Sequence, residues 1–347
     1  MNRYQGATSR TRLGSIAVAC AAGLSAGLLP LAGCISGDTS GPRERRMDVD
    51  LEAVLAADEA TQRAKLLQSS GRIREALAMF ERAIDINPDA VEAHLGIGQI
   101  YKDDGDLDRA EGAYGRAADV GPQVFEAQYQ HALVLQLLGR YEDAIRRYLS
   151  ALRINPRDFK ANMNVGLAFV QLGRPEQGLV YAQRSTQLDV SSGPAHFNLG
   201  VCYALLDRHD EAITSFRRAS EFMGLSPQLL LALADSQAAV GRHDEATGTL
   251  ERLIRIEPNA EAYRRLGTAH FRERRYDESL EAFRSAIEYD DRHYSAYNGV
   301  AVCLLNTYLW SNKTNTAALD NAVRAMRASL RIKRDQPEII ELLTRFG

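Results

Sequence analysis

The feature that most constrains this chain is a spacing. From Glu92 onward, small, aromatic and alanine residues stand at fixed offsets, and the whole set recurs 34 positions later. One copy carries Gly98, Tyr101, Ala110, Tyr114, Ala117 and Pro122, and the next carries Ala132, Leu135, Ala144, Tyr148, Ala151 and Pro156. Self-similarity of this period belongs to stacked supersecondary units, none of which buries its apolar face alone, rather than to one enzyme core. A length of 347 residues would ordinarily suggest two domains, but an array has no reason to divide.

Each landmark has a separable physical role. Apolar residues three or four apart, as in Ile97 and Tyr101 or Leu199 and Tyr203, form one face of a first helix. Small residues at Gly98, Ala132, Gly166, Gly200, Ala234 and Gly267 let a neighbouring helix approach. Gly71, Gly105, Gly139, Gly173 and Gly241 mark turns where a helix ends in a left-handed residue. A second helix buries Ala76 with Phe80, Ala110 with Tyr114, Ala144 with Tyr148, Ala212 with Phe216 and Ser279 with Phe283. Pro88, Pro122, Pro156 and Pro258 then stop the helix.

On these landmarks the chain resembles the tetratricopeptide repeat family. The resemblance implies an all-α fold, an α-solenoid of about eight helix-turn-helix units wound as a right-handed superhelix. The units fall at 57–90, 91–124, 125–158, 159–192, 193–226, 227–259, 260–293 and 294–336, an array over 57–336 followed by a capping helix in 337–347. Three units depart from the pattern. Ala60, Arg63 and Ala64 suit an end unit with one face in water. Gly178 and Ala182 replace alanine and an aromatic in the fourth unit, which predicts a thinner, looser interface there. The last unit inserts a polar stretch near Asn306–Asn315, whose Trp310 is expected to fold back over the final repeat. Asn312-Lys313-Thr314 within it matches a glycosylation triplet, read here as a chance match.

The start of the chain has another character. Arg3, Arg10 and Arg12 precede an uncharged apolar run from Leu13 to Leu31, the pattern of a secretory signal. Leu31-Ala32-Gly33-Cys34 resembles the lipobox of bacterial lipoproteins, which implies cleavage after residue 33 and acylation of Cys34. Two or more acyl chains hold a protein on a membrane where one binds marginally. Residues 1–33 are therefore assigned to a signal peptide and 34–56 to a lipidated cysteine and flexible tether, whose polar part from Ile35 to Asp50 spans roughly 20 to 25 Å.

No catalytic constellation stands out. The chain after the signal has no glycine-rich phosphate loop, H-E-x-x-H, C-x-x-C or G-x-S-x-G. His94, His131, His196, His209, His243, His270 and His293 are dispersed along the array and are expected on helix surfaces. Glu142-Asp143 and Asp244-Glu245 stand at helix starts, where carboxylates complement the dipole. Cys202 and Cys303, three repeats apart, are expected as free buried thiols. The net charge of −3 gives no reason to expect nucleic acid. No enzyme activity, metal, cofactor or small-molecule substrate is expected.

In the resembled family the first helices line a concave surface. Here its inward positions begin polar, with Asp58, Thr61, Lys65 and Gln68, then Glu92, Leu95, Gln99 and Lys102. They become apolar at Tyr129, Leu133, Met163, Leu167, Val170, Phe197, Val201 and Leu205, and polar again at Asp235, Glu261, Arg264 and Arg272. The Lys and Asn set with which some family members clamp a C-terminal carboxylate is absent from the matching positions. The apolar stretch is the expected groove for a partner peptide or helix. The expected function is a lipid-anchored scaffold or adaptor for a protein partner in the bacterial cell envelope, on the periplasmic face of the outer membrane. The alternatives are a regulator or delivery factor for an envelope enzyme such as a peptidoglycan hydrolase, or a pilotin for pilus or secretion assembly.

Overall fold

Alternation of apolar-faced helices with glycine turns produces an uninterrupted run of helices in the computed structural model, which describes residues 42–347 and side chains from Leu51 onward. The leader, the lipobox and Cys34 lie outside the described residues. The helices are α1 Pro42–Ser69, α2 Ile73–Ile86, α3 Val91–Asp103, α4 Leu107–Val120, α5 Phe125–Leu137, α6 Tyr141–Ile154, α7 Phe159–Gln171 and α8 Pro175–Leu188. They continue as α9 Gly193–Leu205, α10 His209–Met223, α11 Pro227–Ala239, α12 His243–Ile256, α13 Ala260–Arg272, α14 Tyr276–Tyr289, α15 Tyr294–Trp310, α16 Thr316–Ile332 and α17 Pro337–Phe346. Successive helices pair and stack on the next pair, an all-α solenoid of eight pairs closed by α17. Among the described residues no helix is long and apolar enough to cross a membrane.

The helix-pair interfaces are built from glycine against aromatic rings. A Cβ added at Gly98 would stand 2.7 Å from the Tyr114 ring, at Gly200 2.6 Å from the Phe216 ring, and at Gly267 2.9 Å from the Phe283 ring. The aromatic rings therefore need the missing side chain. Tyr114, Tyr148, Phe80 and Phe216 are the largest fully buried side chains. Gly71, Gly105, Gly139, Gly173 and Gly241 all have φ between +75° and +80°, the left-handed conformation that a glycine tolerates without steric cost. Asp207 and Arg274 hold the same conformation at the turns that lack glycine, with φ of 56° and 62°.

The fourth pair is not looser. Gly178 and Gly166 bring the two backbones together, so that a Cβ on Gly178 would lie 2.8 Å from the Gly166 carbonyl oxygen. One position away from the buried Ala182, Tyr181 stacks on Phe169 with centroids 5.8 Å apart.

Other expectations also change. Residues 42–56, assigned to the tether, belong to the 28-residue α1. From Arg43 to Glu59 no glycine or proline interrupts a stretch rich in Leu, Ala, Glu and Arg, all good helix formers. The insertion near Asn306–Asn315 is mostly an extension of α15 to Trp310, with the turn confined to five residues before α16. Trp310 does not cover the last repeat: it is 67% exposed and meets only the edge of Tyr276, centroids 4.8 Å apart. His94, His131 and His270 are buried rather than on the surface. His94 is tied to the Pro88 carbonyl at 2.9 Å through Nε2, and His131 faces Glu111 at 3.2 Å.

Candidate functional site: the inner face of the odd helices

Consecutive odd helices touch one another, as α3 with α5, α5 with α7, α7 with α9, α9 with α11 and α13 with α15. No comparable contact joins consecutive even helices among the described residues, so the odd helices form the shorter, inner side of the array. Its N-terminal end is closed by polar bridges. The Lys65 ammonium meets Glu92, Lys102 donates to the Gln130 amide oxygen at 3.0 Å, Asn164 donates to the Tyr129 hydroxyl at 3.1 Å, and Gln136 donates to Gln171 at 2.6 Å. Thr61, placed in the lining from the sequence, is instead buried with its hydroxyl on the Ala57 carbonyl at 2.8 Å.

The C-terminal end is bridged as well. Arg265 donates to Asp235 at 2.6 Å, and His293 meets Glu261 at 3.1 Å. Burial opposes ionisation of Glu261, yet hydrogen bonding and charge from Arg264, with help from Arg265 and His293, bring its pKa down to about 2. Between these ends, α7–α9 and α9–α11 have no side-chain hydrogen bond between them among the described residues.

The eight apolar groove residues fall into two groups. Tyr129, Val170, Phe197 and Val201 pack on buried clusters: Tyr129 lies 5.8 Å from the Tyr148 ring and Phe197 5.7 Å from that of Phe216. Their partial exposure is mostly the outer edge of core packing. Leu133, Met163, Leu167 and Leu205 join none of the buried clusters, and Leu205 is 55% exposed. Apolar area is thus available on α5, α7 and the end of α9.

Two recesses that the sequence pattern does not announce lie farther along the same face. One of about 340 Å³ lies between α11 and α13, lined by Asp235, Ala238, Leu250, Arg264, Thr268 and Arg272. A second of about 310 Å³ lies between α13 and α15, lined by Arg264, Thr268, Phe271, Arg272, Phe283 and Val302 among others. Arg264, Thr268 and Arg272, four apart on α13, form the ridge between them. A signal lay in the small residue Ala238 of α11, whereas Gly299 is small because an added Cβ would come within 2.5 Å of the Phe283 ring.

Burial raises the Cys202 thiol to about 11 and pushes Cys303 upward too, so both free thiols stay protonated at neutral pH. No cluster of metal-ligating side chains occurs among the described residues.

A tetratricopeptide repeat family model matches residues 61–125, 231–296 and 268–335, and two further repeat models match 134–173 and 193–222. The chain belongs to the tetratricopeptide repeat family. Among solved structures it is similar to a tetratricopeptide repeat protein from Parabacteroides merdae, at 18% identity over 72% of this chain and 99% of that one, with a TM-score of 0.50. It is also similar to PilF of Pseudomonas aeruginosa, at 19% identity over 61% of this chain and 96% of that one, with a TM-score of 0.51. At such identities the likeness is one of fold. No curated protein matches the chain. The repeat fold supports a protein–protein interaction scaffold, and proteins of this family are generally not enzymes.

Proposed function

We propose that the chain is a lipid-anchored adaptor of the bacterial cell envelope that holds a segment of a protein partner against the inner face of α5, α7 and α9. The observation that carries this reading is the apolar area of Leu133, Met163, Leu167 and Leu205, which the core does not use and which no polar bridge crosses between α7 and α9. Burying about 400 Å² there releases roughly 10 kcal/mol gross. Loss of translational freedom and side-chain ordering offset most of it, leaving an affinity of about micromolar.

The anchor is Cys34, acylated after removal of residues 1–33, and the outer membrane is its favoured site. Cys34→Ser is expected to accumulate unprocessed, unlabelled precursor. Cleavage elsewhere without lipid, seen by mass spectrometry of the wild type, rejects the anchor.

For the groove, Leu167→Asp combined with Leu205→Asp leaves the buried clusters intact. It is expected to abolish crosslinking to the partner in intact cells while circular dichroism stays helical. Undiminished crosslinking by a folded double variant moves the binding surface elsewhere.

A further inference from the structure

A recess of about 370 Å³ opens on the outer side of the array, between α4, α5 and α6. Gly112 and Gly115 of α4 form one wall, His131 and Leu135 of α5 the floor, and Arg140, Asp143, Arg146 and Arg147 the other wall, with Glu111, Arg116 and Asp119 at the rim. We propose that this recess binds an oxyanion, namely a phosphoryl group carried by a small molecule or a lipid headgroup. The site is separate from the inner face and does not depend on the adaptor reading.

Two observations converge. The first is room that folding does not require. Gly98, Gly178, Gly200 and Gly267 sit where an added Cβ would come within 3 Å of a neighbour, but around Gly112 nothing lies within 4 Å. At Gly115 the nearest atom, on the His131 ring, is at an ordinary 3.4 Å. Alanine fits at both positions and would stabilise the helix by about 0.5–1 kcal/mol each, so the glycines keep space open at a cost. Gly248 of α12 is similarly open, but it stands alone and lines no recess described here.

The second is a surplus of donors. Each guanidinium carries five N–H groups. Arg140 reaches Asp143 and Glu111, Arg146 reaches Asp143, and Arg147 reaches Asp119. Arg147 also donates to the Gln128 amide oxygen at 3.4 Å, and these contacts leave most guanidinium N–H groups facing solvent. Arg116 pairs with no carboxylate among the described residues. Four guanidiniums against the three carboxylates of Glu111, Asp119 and Asp143 leave the recess a net positive charge, which suits the oxygens of a phosphoryl group.

The test is calorimetric titration of the full chain in detergent with inorganic phosphate, against chloride at matched ionic strength. Saturable phosphate binding without a chloride counterpart is expected. Arg116→Gln and Arg147→Gln are each expected to weaken it about tenfold. Gly112→Leu with Gly115→Leu fills the recess and is expected to abolish binding while the melting temperature does not fall, which separates loss of the site from loss of the fold. Glycerol 3-phosphate in solution and phosphatidylglycerol in the micelle then tell a small-molecule source from a headgroup. No saturable phosphate binding, a chloride response of equal size, or binding unchanged in the filled variant overturns the proposal.

Discussion

The pairs α9–α10 and α7–α8 meet one packing requirement in two ways. In α9–α10 a buried Phe216 ring occupies the space opposite Gly200, where an added Cβ would come within 2.6 Å of it. In α7–α8 the equivalent ring is missing, Ala182 is buried in its place, and Gly178 lies against the Gly166 carbonyl. The interhelical gap has closed instead of being filled. Interiors are close-packed whatever the residue sizes, so a small side chain changes the helix separation rather than leaving a void.

The largest effect should come from emptying the filled interface. Phe216→Ala is expected to destabilise by about 3–5 kcal/mol in thermal or urea unfolding, through lost burial plus an unrelaxed cavity. The closed interface should fail in the opposite direction. Ala182→Phe restores the residue type of the other pairs, yet it is expected to destabilise by about 1–3 kcal/mol because no gap receives the ring. An unchanged melting temperature for Ala182→Phe would mean that the two helices separate freely and that the contrast has been misjudged.

The turns offer a smaller comparison of the same kind. Gly139→Ala places a Cβ where φ is +75° and should cost about 1 kcal/mol, whereas Arg274→Gly, at a φ of +62°, should gain a similar amount. Both are read from unfolding midpoints.

The ends and middle of the inner face should differ in their response to acid. The Glu261 pKa is lowered in the fold from 4.5 to about 2, so its contribution is complete above the unfolded value and is lost as pH falls toward 2. Since the Glu261 side chain is 40% exposed, solvent screens this contribution and the expected effect is small. Removing the carboxylate by Glu261→Gln should flatten the pH dependence of the melting temperature between about 4.5 and 2, while Leu167→Ala, in the unbridged middle, should leave the slope unchanged.

Much of the core was legible. Ala76, Phe80, Ala110, Tyr114, Ala144, Tyr148, Ala212, Phe216, Ser279 and Phe283 all lie buried where the repeat placed them, and α17 spans Pro337–Phe346 as expected. Asp207 and Arg274 were not recognised as left-handed, because glycine is the signal for that conformation and tertiary packing imposed it without one. The outer recess was also illegible. Gly112 and Gly115 are not landmarks of the repeat, and only the structure shows nothing beside Gly112 and an ordinary contact at Gly115.

The sequence by itself determined the helix pairs, their number and their buried landmarks, since helical period and turn chemistry act within one unit of 34 residues. Tertiary structure alone decided the separation of α7 from α8, the division of the groove between residues held by the core and residues left free, and the bridges that join one odd helix to the next. The bridges depend on atoms about one repeat apart in the chain, such as Gln136 with Gln171 or Asp235 with Arg265. No local period specifies how closely such partners are finally packed.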